Sequence, residues 1–567
     1  MFKILTHIFK AQKIVLLLAL MFTGALVFAV QKFHARLLDI LEHHFRLTLN
    51  PFNTQTPVYF MKYVVAIGWC LLSSITFAQQ KIGIFNNNKD IGKPIKTGGA
   101  SYDESTQTYT LKGAGYNIWF ERDEFNYLYN KMGGDFVITA NFEFIDKGTD
   151  AHRKIGLMVR ESDDEKAASI NATLHGDGLT VLQWRELRGA FMRDPEDEIF
   201  PPKNNYTILQ LERVGKNIIM RAAHPGEPLQ TLGSHVMTSF KDSVLVGLFI
   251  SSHNKDVVEQ ARVWNVRIDR PVPDAYNPGK EGWIGCRLET MNVFDGKRRV
   301  IYEKNGRFEA PNWMPDGKNL LINMDGSLYT IPSTGGEPQK VNTGSANRLN
   351  NDHVISFDGK MIAISSHRDG LPGGGSSVYV LPIGGGEPKL ITEETPSYLH
   401  GWAPNNKEVV YVAKRADNPT YDIYKKSIDG KGKEVMLTNT GKSDHVDGCE
   451  YSPDGKYIYY NGSKSGTMQL WRMKPDGSGQ EQLTFDQYNN WFPHISPDGK
   501  WIAYISFPYD IPVNSHPSYK RVTLKLMPTA GGAPKVIAYL YGGQGTINVP
   551  SWSPDSKSIA FVSNSGK

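Results

Sequence analysis

A short phrase that ends in a tight turn recurs six times in the second half of the chain, and this repetition limits the folds open to it. Each copy ends in Pro-Asp-Gly-Lys or a close variant. Proline presets φ, aspartate bonds back to the chain and glycine accepts positive φ, so the phrase predicts a turn. The roughly 42 to 57 residues between copies are typical of one four-stranded propeller blade. The copies begin at Trp313, Ile355, Trp402, Tyr451, Ile495 and Trp552.

The sixth copy reaches only its second strand, residues 558–562, before the sequence stops. Two further strand patterns, residues 287–293 and 298–303, precede the first copy and are joined by an Asp-Gly-Lys turn. Pairing them with the last two strands closes the ring and removes the exposed sheet edges. We therefore expect a six-bladed β-propeller over residues 283–567, closed by the strands at 287–303.

Residues 80–270 alternate apolar and polar side chains over several short segments, which predicts a β-sandwich. The alternation places His175 and Arg185 on the face opposite the apolar one. That face is either solvated or a concave surface that binds glycan through these two side chains. Residues 271–282 are rich in Pro, Asp and Gly and are predicted to be the linker.

The N-terminal region predicts export. Residues 61–78 begin with Met-Lys, continue as an apolar run and end with small residues, as a signal peptide does. Residues 1–60 are then an upstream extension, or residues 14–30 are a membrane anchor. Lys and Arg are scattered among Asp and Glu, and the net charge is only +5, so we expect no nucleic-acid partner. We expect a periplasmic, secreted or cell-surface protein that touches a membrane only through that anchor.

The repeats resemble the PD40 or WD40-like repeats of TolB-type propellers, and residues 154–162 resemble concanavalin-like sandwich domains. The resemblance implies an all-β chain, with a concanavalin-like β-sandwich followed by a six-bladed TolB-like β-propeller. The repeats are also similar to those of oligogalacturonate lyases, which implies a His-rich metal site in the channel. This chain departs from those lyases in blade count and in carrying a sandwich domain.

The blade geometry predicts where a site would lie. The turns close the innermost strands at one face, so the starts of those strands surround the channel mouth at the other. Imidazole and carboxylate groups there suit a divalent metal such as Mn²⁺ or Zn²⁺; alternatively, they hydrogen-bond to water and to each other. The predicted metal ligands are His353, His400, His445, Glu309 and Asp447. The predicted substrate-binding residues at this rim are Tyr398, Trp491, Tyr519, Asn351 and Asn548.

Two functions stay open at this point. In the first, the protein binds or processes glycan, with the sandwich as a carbohydrate-binding module and the channel mouth as the site for an acidic saccharide. If it is an enzyme, it is similar to a metal-dependent polysaccharide lyase, in which His516 or Lys520 removes the proton α to a uronate carboxylate. In the second, it is a periplasmic platform of TolB type that binds an envelope protein without catalysis. The sequence contains no G-x-S-x-G, H-E-x-x-H or P-loop motif, which excludes those classes of hydrolase and nucleotide-binding protein.

Overall fold

The computed structural model describes residues 81–416, 418–441 and 444–565. The predicted signal peptide and the segment before it lie outside these residues. Residues 79–567 form one compact unit. Its regular structure is almost entirely β-strand, with one α-helical turn at Pro278–Glu281 and a 3₁₀ turn at Pro372–Gly375 among the described residues. None of the helices in these ranges has the length and apolar character needed to cross a membrane.

The first half forms two seven-stranded antiparallel sheets and a small two-stranded ribbon of β4 and β5. The order is β1-β6-β15-β8-β9-β10-β11 in the first sheet and β14-β13-β12-β7-β16-β3-β2 in the second. The strands are β1 (Asn87–Ile91), β2 (Gly99–Asp103), β3 (Thr108–Gly115), β4 (Ile118–Trp119), β5 (Arg122–Asp123), β6 (Phe125–Met132), β7 (Phe136–Phe144), β8 (Lys154–Arg160), β9 (Ser169–His175), β10 (Thr180–Arg185), β11 (Glu198–Ile199), β12 (Ile208–Val214), β13 (Asn217–Ala223), β14 (Gln230–Val236), β15 (Val244–Ser251) and β16 (Asn254–Asp269).

Both sheets contribute alternate side chains to one hydrophobic core. Leu157 and Leu248 enter it from the first sheet, and Ile138 and Leu209 enter it from the second. All four are fully buried. This core follows from the period-two pattern, since alternate residues of a strand point to opposite faces. The specific likeness of this half to concanavalin-like domains stays a prediction.

The second half is a six-bladed β-propeller. Five four-stranded sheets follow one another in chain order, β19 to β22, β23 to β26, β27 to β30, β31 to β34 and β35 to β38. The strands are β17 (Cys286–Asn292), β18 (Arg298–Lys304), β19 (Phe308–Trp313), β20 (Asn319–Met324), β21 (Ser327–Pro332), β22 (Gln339–Lys340), β23 (Leu349–Ile355), β24 (Met361–Ser366), β25 (Ser377–Pro382), β26 (Lys389–Leu390), β27 (Ser397–Trp402), β28 (Glu408–Arg415), β29 (Asn418–Ser427), β30 (Val435–Met436), β31 (Val446–Tyr451), β32 (Ile458–Gly462), β33 (Gln469–Met473), β34 (Glu481–Gln482), β35 (Asn489–Ile495), β36 (Trp501–Phe507), β37 (Lys520–Pro528), β38 (Lys535–Gly542) and β39 (Ser558–Asn564).

The sixth blade joins the two ends of the propeller. Strand β39 pairs with β17 from Ser558 opposite Asn292 to Asn564 opposite Cys286, and β18 lies beyond β17. A bridge between Trp552 and Ile559 adds the innermost segment. The predicted ring closure is therefore confirmed. It pairs β39, which would otherwise be an unpaired strand edge, with β17.

The recurring phrase folds into the turn that its residues predict. In the fourth copy, the Ser452 hydroxyl donates to Oδ1 of Asp454 over 2.7 Å, and the backbone N–H of Lys456 donates to the same atom over 3.1 Å. Gly455 has a φ of 70°, in the left-handed region that glycine enters without steric cost. The turn thus closes the innermost strand β31 onto β32, at the end of the blade opposite to the start of β31.

The two halves contact each other through a buried ion triad. Glu289 of β17 lies 2.7 Å from Arg267 of β16 and 2.7 Å from Arg298 of β18. The Ser563 hydroxyl of β39 donates to the same carboxylate over 2.6 Å. Burial alone would raise the pKa of Glu289, but the two guanidinium groups hold it well below its usual range. The guanidinium of Arg267, from the first half of the protein, therefore completes an ion-pair network inside the sixth blade.

Candidate functional site at the channel mouth

A cavity of about 360 Å³ lies at the end of the propeller where the innermost strands begin. The loops between second and third strands complete its wall. Seven of the predicted site residues line it, namely Asn351, Tyr398, His400, His445, Asp447, His516 and Asn548. Sequence reasoning missed a further set that includes Arg307, Asp352, Tyr421, Asn514 and Gln544.

Irregularities in the innermost strands decide which side chains enter this cavity. The ladder register shifts between Leu349 and His353 in β23, and comparable shifts interrupt β19, β27, β31 and β35. Ala310 and Phe492 adopt positive φ values of 57° and 54° at such places. A bulge re-aims the side chains beside it, so the strict alternation assumed for these strands does not hold. This explains why the consecutive residues Asn351 and Asp352 both line the cavity.

Three imidazoles surround the carboxylate of Asp447. His400 Nε2 lies 2.7 Å from Oδ1, while His445 Nε2 and His516 Nε2 lie 3.9 and 3.8 Å from Oδ2. Burial works against the charge on His400, but Asp447 outweighs it and raises the pKa of His400. Burial also works against the charge on Asp447, but His400 outweighs it and holds the pKa of Asp447 well below its usual range. Burial lowers the pKa of His516, so that imidazole is neutral at pH 7.

Asp352 is the second carboxylate of the cavity and is differently placed. It is buried, and the side-chain amide of Asn350 donates to its Oδ2 over 2.8 Å. Burial raises the pKa of Asp352 to about 7, with His400 opposing this effect and Asp447 adding to it. The cavity therefore holds one carboxylate that is ionised and one that exchanges its proton near neutral pH. Alternation along β23 did not predict that Asp352 enters the cavity, because a bulge shifts the register of this strand between Leu349 and His353.

Aromatic rings form the wall on one side of the cavity. Tyr398 and Tyr421 lie with ring centroids 6.1 Å apart, and the ammonium of Lys414 lies 4.4 Å from the Tyr421 centroid. Phe492 packs 6.2 Å from the ring of His400. Trp491, predicted to be an open platform for a sugar, is instead fully buried and packs against His516 at 4.5 Å. Trp491 therefore supports His516 from behind and does not line the cavity itself.

Other predicted site residues of the propeller lie away from the cavity. His353 is buried between blades, with Nε2 3.3 Å from the carbonyl oxygen of Leu321, and burial lowers its pKa to about 4. Tyr519 accepts the backbone N–H of Ile284 over 2.9 Å. Lys520 donates to the carbonyl oxygen of Asp274 over 2.9 Å in the linker. Lys520 and His516, the two predicted bases, are therefore not in one site.

The predicted metal ligands are also separated. His400, His445 and Asp447 line the cavity, whereas His353 lies between blades. Glu309 is buried in an ion pair with Arg307, at 2.5 Å. In the ranges that the structure describes, no group of three or more His, Cys, Asp or Glu side chains is arranged to hold a metal ion. The divalent metal stays a prediction that these contacts do not support.

The predicted glycan face of the sandwich half is covered. Arg185 is 1% exposed and forms a two-bond ion pair with Asp123, at 2.7 Å from each carboxylate oxygen. Arg160 donates to the same carboxylate over 2.9 Å. His175 is 7% exposed. The sequence pattern assigned these residues to an outward face, but the segment that carries Asp123 folds over it.

No family model matches the chain. The uncharacterized protein Atu1656 of Agrobacterium fabrum is 44% identical over 286 residues, which cover 50% of this chain and 94% of that protein. The Tol-Pal system protein TolB of Francisella tularensis is 25% identical over 274 residues, or 47% of this chain and 59% of that protein. The chain thus spans less than two thirds of this TolB.

Two solved structures that are similar to this chain carry the name TolB. A structure from Agrobacterium tumefaciens, provisionally assigned to TolB, is 43% identical with a TM-score of 0.46, covering 50% of this chain and 99% of that one. TolB from Acinetobacter baumannii is 14% identical with a TM-score of 0.33, covering 63% of this chain and 79% of that one. Because Atu1656 is matched over nearly its whole length at 44% identity, we conclude that this chain belongs to the family of TolB-like β-propeller proteins that includes Atu1656.

Proposed function

We propose that this protein works in the periplasm and binds another envelope protein through the channel mouth of its propeller. The observation that carries the proposal is the likeness of its sequence to Tol-Pal system protein TolB, which extends over 274 residues. A propeller alone does not define a function, because this fold hosts both enzymes and binding platforms. The relatives therefore favour the platform of TolB type over a glycan-binding protein.

The channel mouth has the chemistry of a protein-binding surface. Its cavity of about 360 Å³ can accept one or two side chains of a partner. Its lining includes the amide groups of Asn514 and Gln544 and the phenol of Tyr421. Tyrosine and amide groups bind peptide surfaces through combined apolar contact and hydrogen bonding. This arrangement supports a partner that inserts a polar segment into the mouth.

The glycan-binding hypothesis has less support. Two of the side chains expected to contact sugar, Arg185 and Trp491, are buried in contacts within the protein. The polar cavity residues that remain are equally suited to a peptide. A polysaccharide partner is therefore not part of the proposal.

Site-specific photocross-linking of the full chain in cells tests the proposal. A photoreactive phenylalanine analogue replaces Asn514, which is exposed at the rim of the cavity. In the matched control the analogue replaces Lys318, which is exposed in the turn at the opposite end of its blade. We expect a discrete protein adduct from position 514 and none from position 318.

Three other results of the cross-linking experiment would count against binding of an envelope protein at the channel mouth. Equal adducts from both positions would mean that the mouth has no special role. An adduct from position 514 whose added mass is removed by a glycosidase mixture would favour the glycan hypothesis. The absence of any adduct at position 514 and at a second rim position, His367, would contradict the proposal.

A further inference from the structure

A second polar site lies in the sandwich half, far along the chain from the propeller residues. Lys154 begins β8 and His175 ends β9, and the two residues are direct partners in the ladder. Both side chains point to the face opposite the shared core, since their neighbours Ile155 and Leu174 enter that core. The strand register therefore holds an ammonium and an imidazole side by side. This site is independent of the proposed function of the propeller.

Lys154 is a buried cation with incomplete partners. It is 4% exposed, and the hydrogen bonds that its ammonium makes within the described residues go to neutral oxygen atoms. Its Nζ donates to Asn117 Oδ1 over 2.8 Å and to the carbonyl oxygen of His152 over 3.3 Å. An ammonium has three hydrogens, so one has no acceptor in these contacts. Burial lowers the pKa of Lys154 to about 8, and the group therefore stays mostly charged at pH 7.

His175 has no hydrogen-bond partner at either ring nitrogen, although both nitrogens are buried. Burial has the largest effect on the pKa of His175, and the charge of Lys154 adds to it. Together they lower this pKa to about 2, so the ring is neutral. A neutral imidazole presents one donor and one acceptor. Burying both ring nitrogens without a hydrogen-bond partner raises the free energy of the folded protein, and no contact within the described residues offsets this cost. His175 and Lys154 thus each have one N–H group without a hydrogen-bond acceptor.

Two more histidines separate this pair from solvent. The ring of His152 packs edge-on against that of His175, with centroids 5.8 Å apart, and the ring of His253 lies 5.6 Å from that of His152. His152 is exposed, and His253 is 3.3 Å from the carboxylate of Asp150. An exposed side chain can rotate away on a fast timescale. His152 therefore stands at the entrance to the pair.

We propose that Lys154 and His175 form a binding site for an oxyanion, either a carboxylate or a phosphate group, which enters past His152. The oxyanion accepts the free hydrogen of the Lys154 ammonium and the N–H of His175. Charge-assisted hydrogen bonds of this kind are the strongest in proteins, and they compensate the buried charge. A cation is disfavoured at the same place, because the ammonium would repel it. The groups that oppose the anion at longer range are the carboxylates of Asp150, Asp177 and Glu198.

Calorimetric titration of the full chain with sodium phosphate and, separately, sodium acetate tests the proposal. We expect saturable binding of at least one anion to the wild type, with the preferred anion telling phosphate from carboxylate. Lys154→Met removes the charge and is expected to weaken that binding at least tenfold. Lys112→Met is the matched control, because Lys112 is exposed on the second sheet, and it is expected to bind as the wild type does.

Two further variants keep the test decisive if Lys154→Met does not fold. Lys154→Arg keeps the charge and is expected to bind the anion, whereas His175→Phe keeps the ring volume without a donor and is expected to bind at least tenfold more weakly. Equal affinity in His175→Phe and wild type would overturn the proposal. So would the absence of saturable binding of either anion, which would make the site a polar cluster filled by water. Binding of Zn²⁺ that His152→Ala and His175→Phe both abolish, without anion binding, would also overturn it.

Discussion

His400 Nε2 and Asp447 Oδ1 lie 2.7 Å apart inside the channel mouth, and each group sets the charge of the other. Asp447→Asn is expected to lower the pKa of His400, because burial is then opposed only by the smaller effects of the Asp352 and Glu450 carboxylates. The imidazole Cε1 resonance of His400, followed by NMR across pH 5 to 8, measures this change. His224 is the internal control, since it lies in the sandwich half, pairs with Glu227 and should titrate unchanged. An unchanged His400 titration would contradict the pairing.

Asp352→Asn is expected to stabilise the protein at pH 8. The folded-state pKa of Asp352 is about 7, against an ordinary value of 3.8. Between pH 4 and 7 the folded protein therefore holds a proton that the unfolded chain has lost. Stability contributed by Asp352 falls as pH rises through this window, and the cost is complete above pH 7. Three pKa units correspond to about 4 kcal/mol, which is the upper limit of the expected gain.

Urea unfolding of wild type and Asp352→Asn at pH 4 and pH 8 checks this prediction. The difference between the two proteins should be small at pH 4 and large at pH 8. A gain of the same size at both pH values would show that the substitution acts through packing rather than through the carboxylate.

Glu289→Gln is expected to destabilise the protein by about 3 to 5 kcal/mol, because it leaves Arg267 and Arg298 buried with no counter-charge. Glu303→Gln is the control, since Glu303 is exposed on the neighbouring strand β18. Denaturant unfolding followed by tryptophan fluorescence gives the free energy of unfolding of each variant. A loss no larger than that of Glu303→Gln would mean that the triad does not hold the two halves together.

Lys154→Met is expected to stabilise the folded protein at pH 7 in buffer without phosphate or carboxylate. The folded-state pKa of Lys154 is about 8, below its ordinary value of 10.5. Below pH 8 both folded and unfolded chains carry the charge, and only the folded one buries it, so the cost is full there. The cost is relieved as pH rises from 8 to 10.5, because the folded protein loses its proton first. The shift corresponds to about 3 kcal/mol.

Thermal unfolding of Lys154→Met and wild type at pH 7 and pH 10.5 measures the effect. The melting temperature of the variant should exceed that of wild type at pH 7, and the two should converge at pH 10.5. A lower melting temperature at pH 7 would mean that the contacts to Asn117 and His152 outweigh the cost of the buried charge.

The turn phrase carried most of the information about the propeller. Pro-Asp-Gly at blade spacing determined the number of innermost strands, because the aspartate and glycine of each copy suit one turn geometry. The strand pattern at residues 287–303 then determined how the ring closes. The turn and strand signals are local, since they depend on turn chemistry and on period-two alternation. The pairing of β17 with β39 joins distant parts of the chain, and it was predicted because the sixth blade lacked two strands.

The channel site was predictable only in part. Strand starts pointed to His400, His445 and Asp447, which do line the cavity. Asp352 was not predicted and His353 was expected at the channel mouth, whereas a bulge in β23 sends the first into the cavity and the second between blades. A bulge depends on how one blade packs against the next, and alternation within a single strand does not report it.

The sequence by itself determined the all-β class, the six blades and the closure of the ring. The tertiary structure alone decided the burial of Arg185 against Asp123, the Glu289 triad between the halves and the incomplete partners of Lys154 and His175. The physical reason is distance along the chain. Turn and strand signals arise from neighbouring residues, whereas the partner of a buried charge comes from a segment that only folding brings to it.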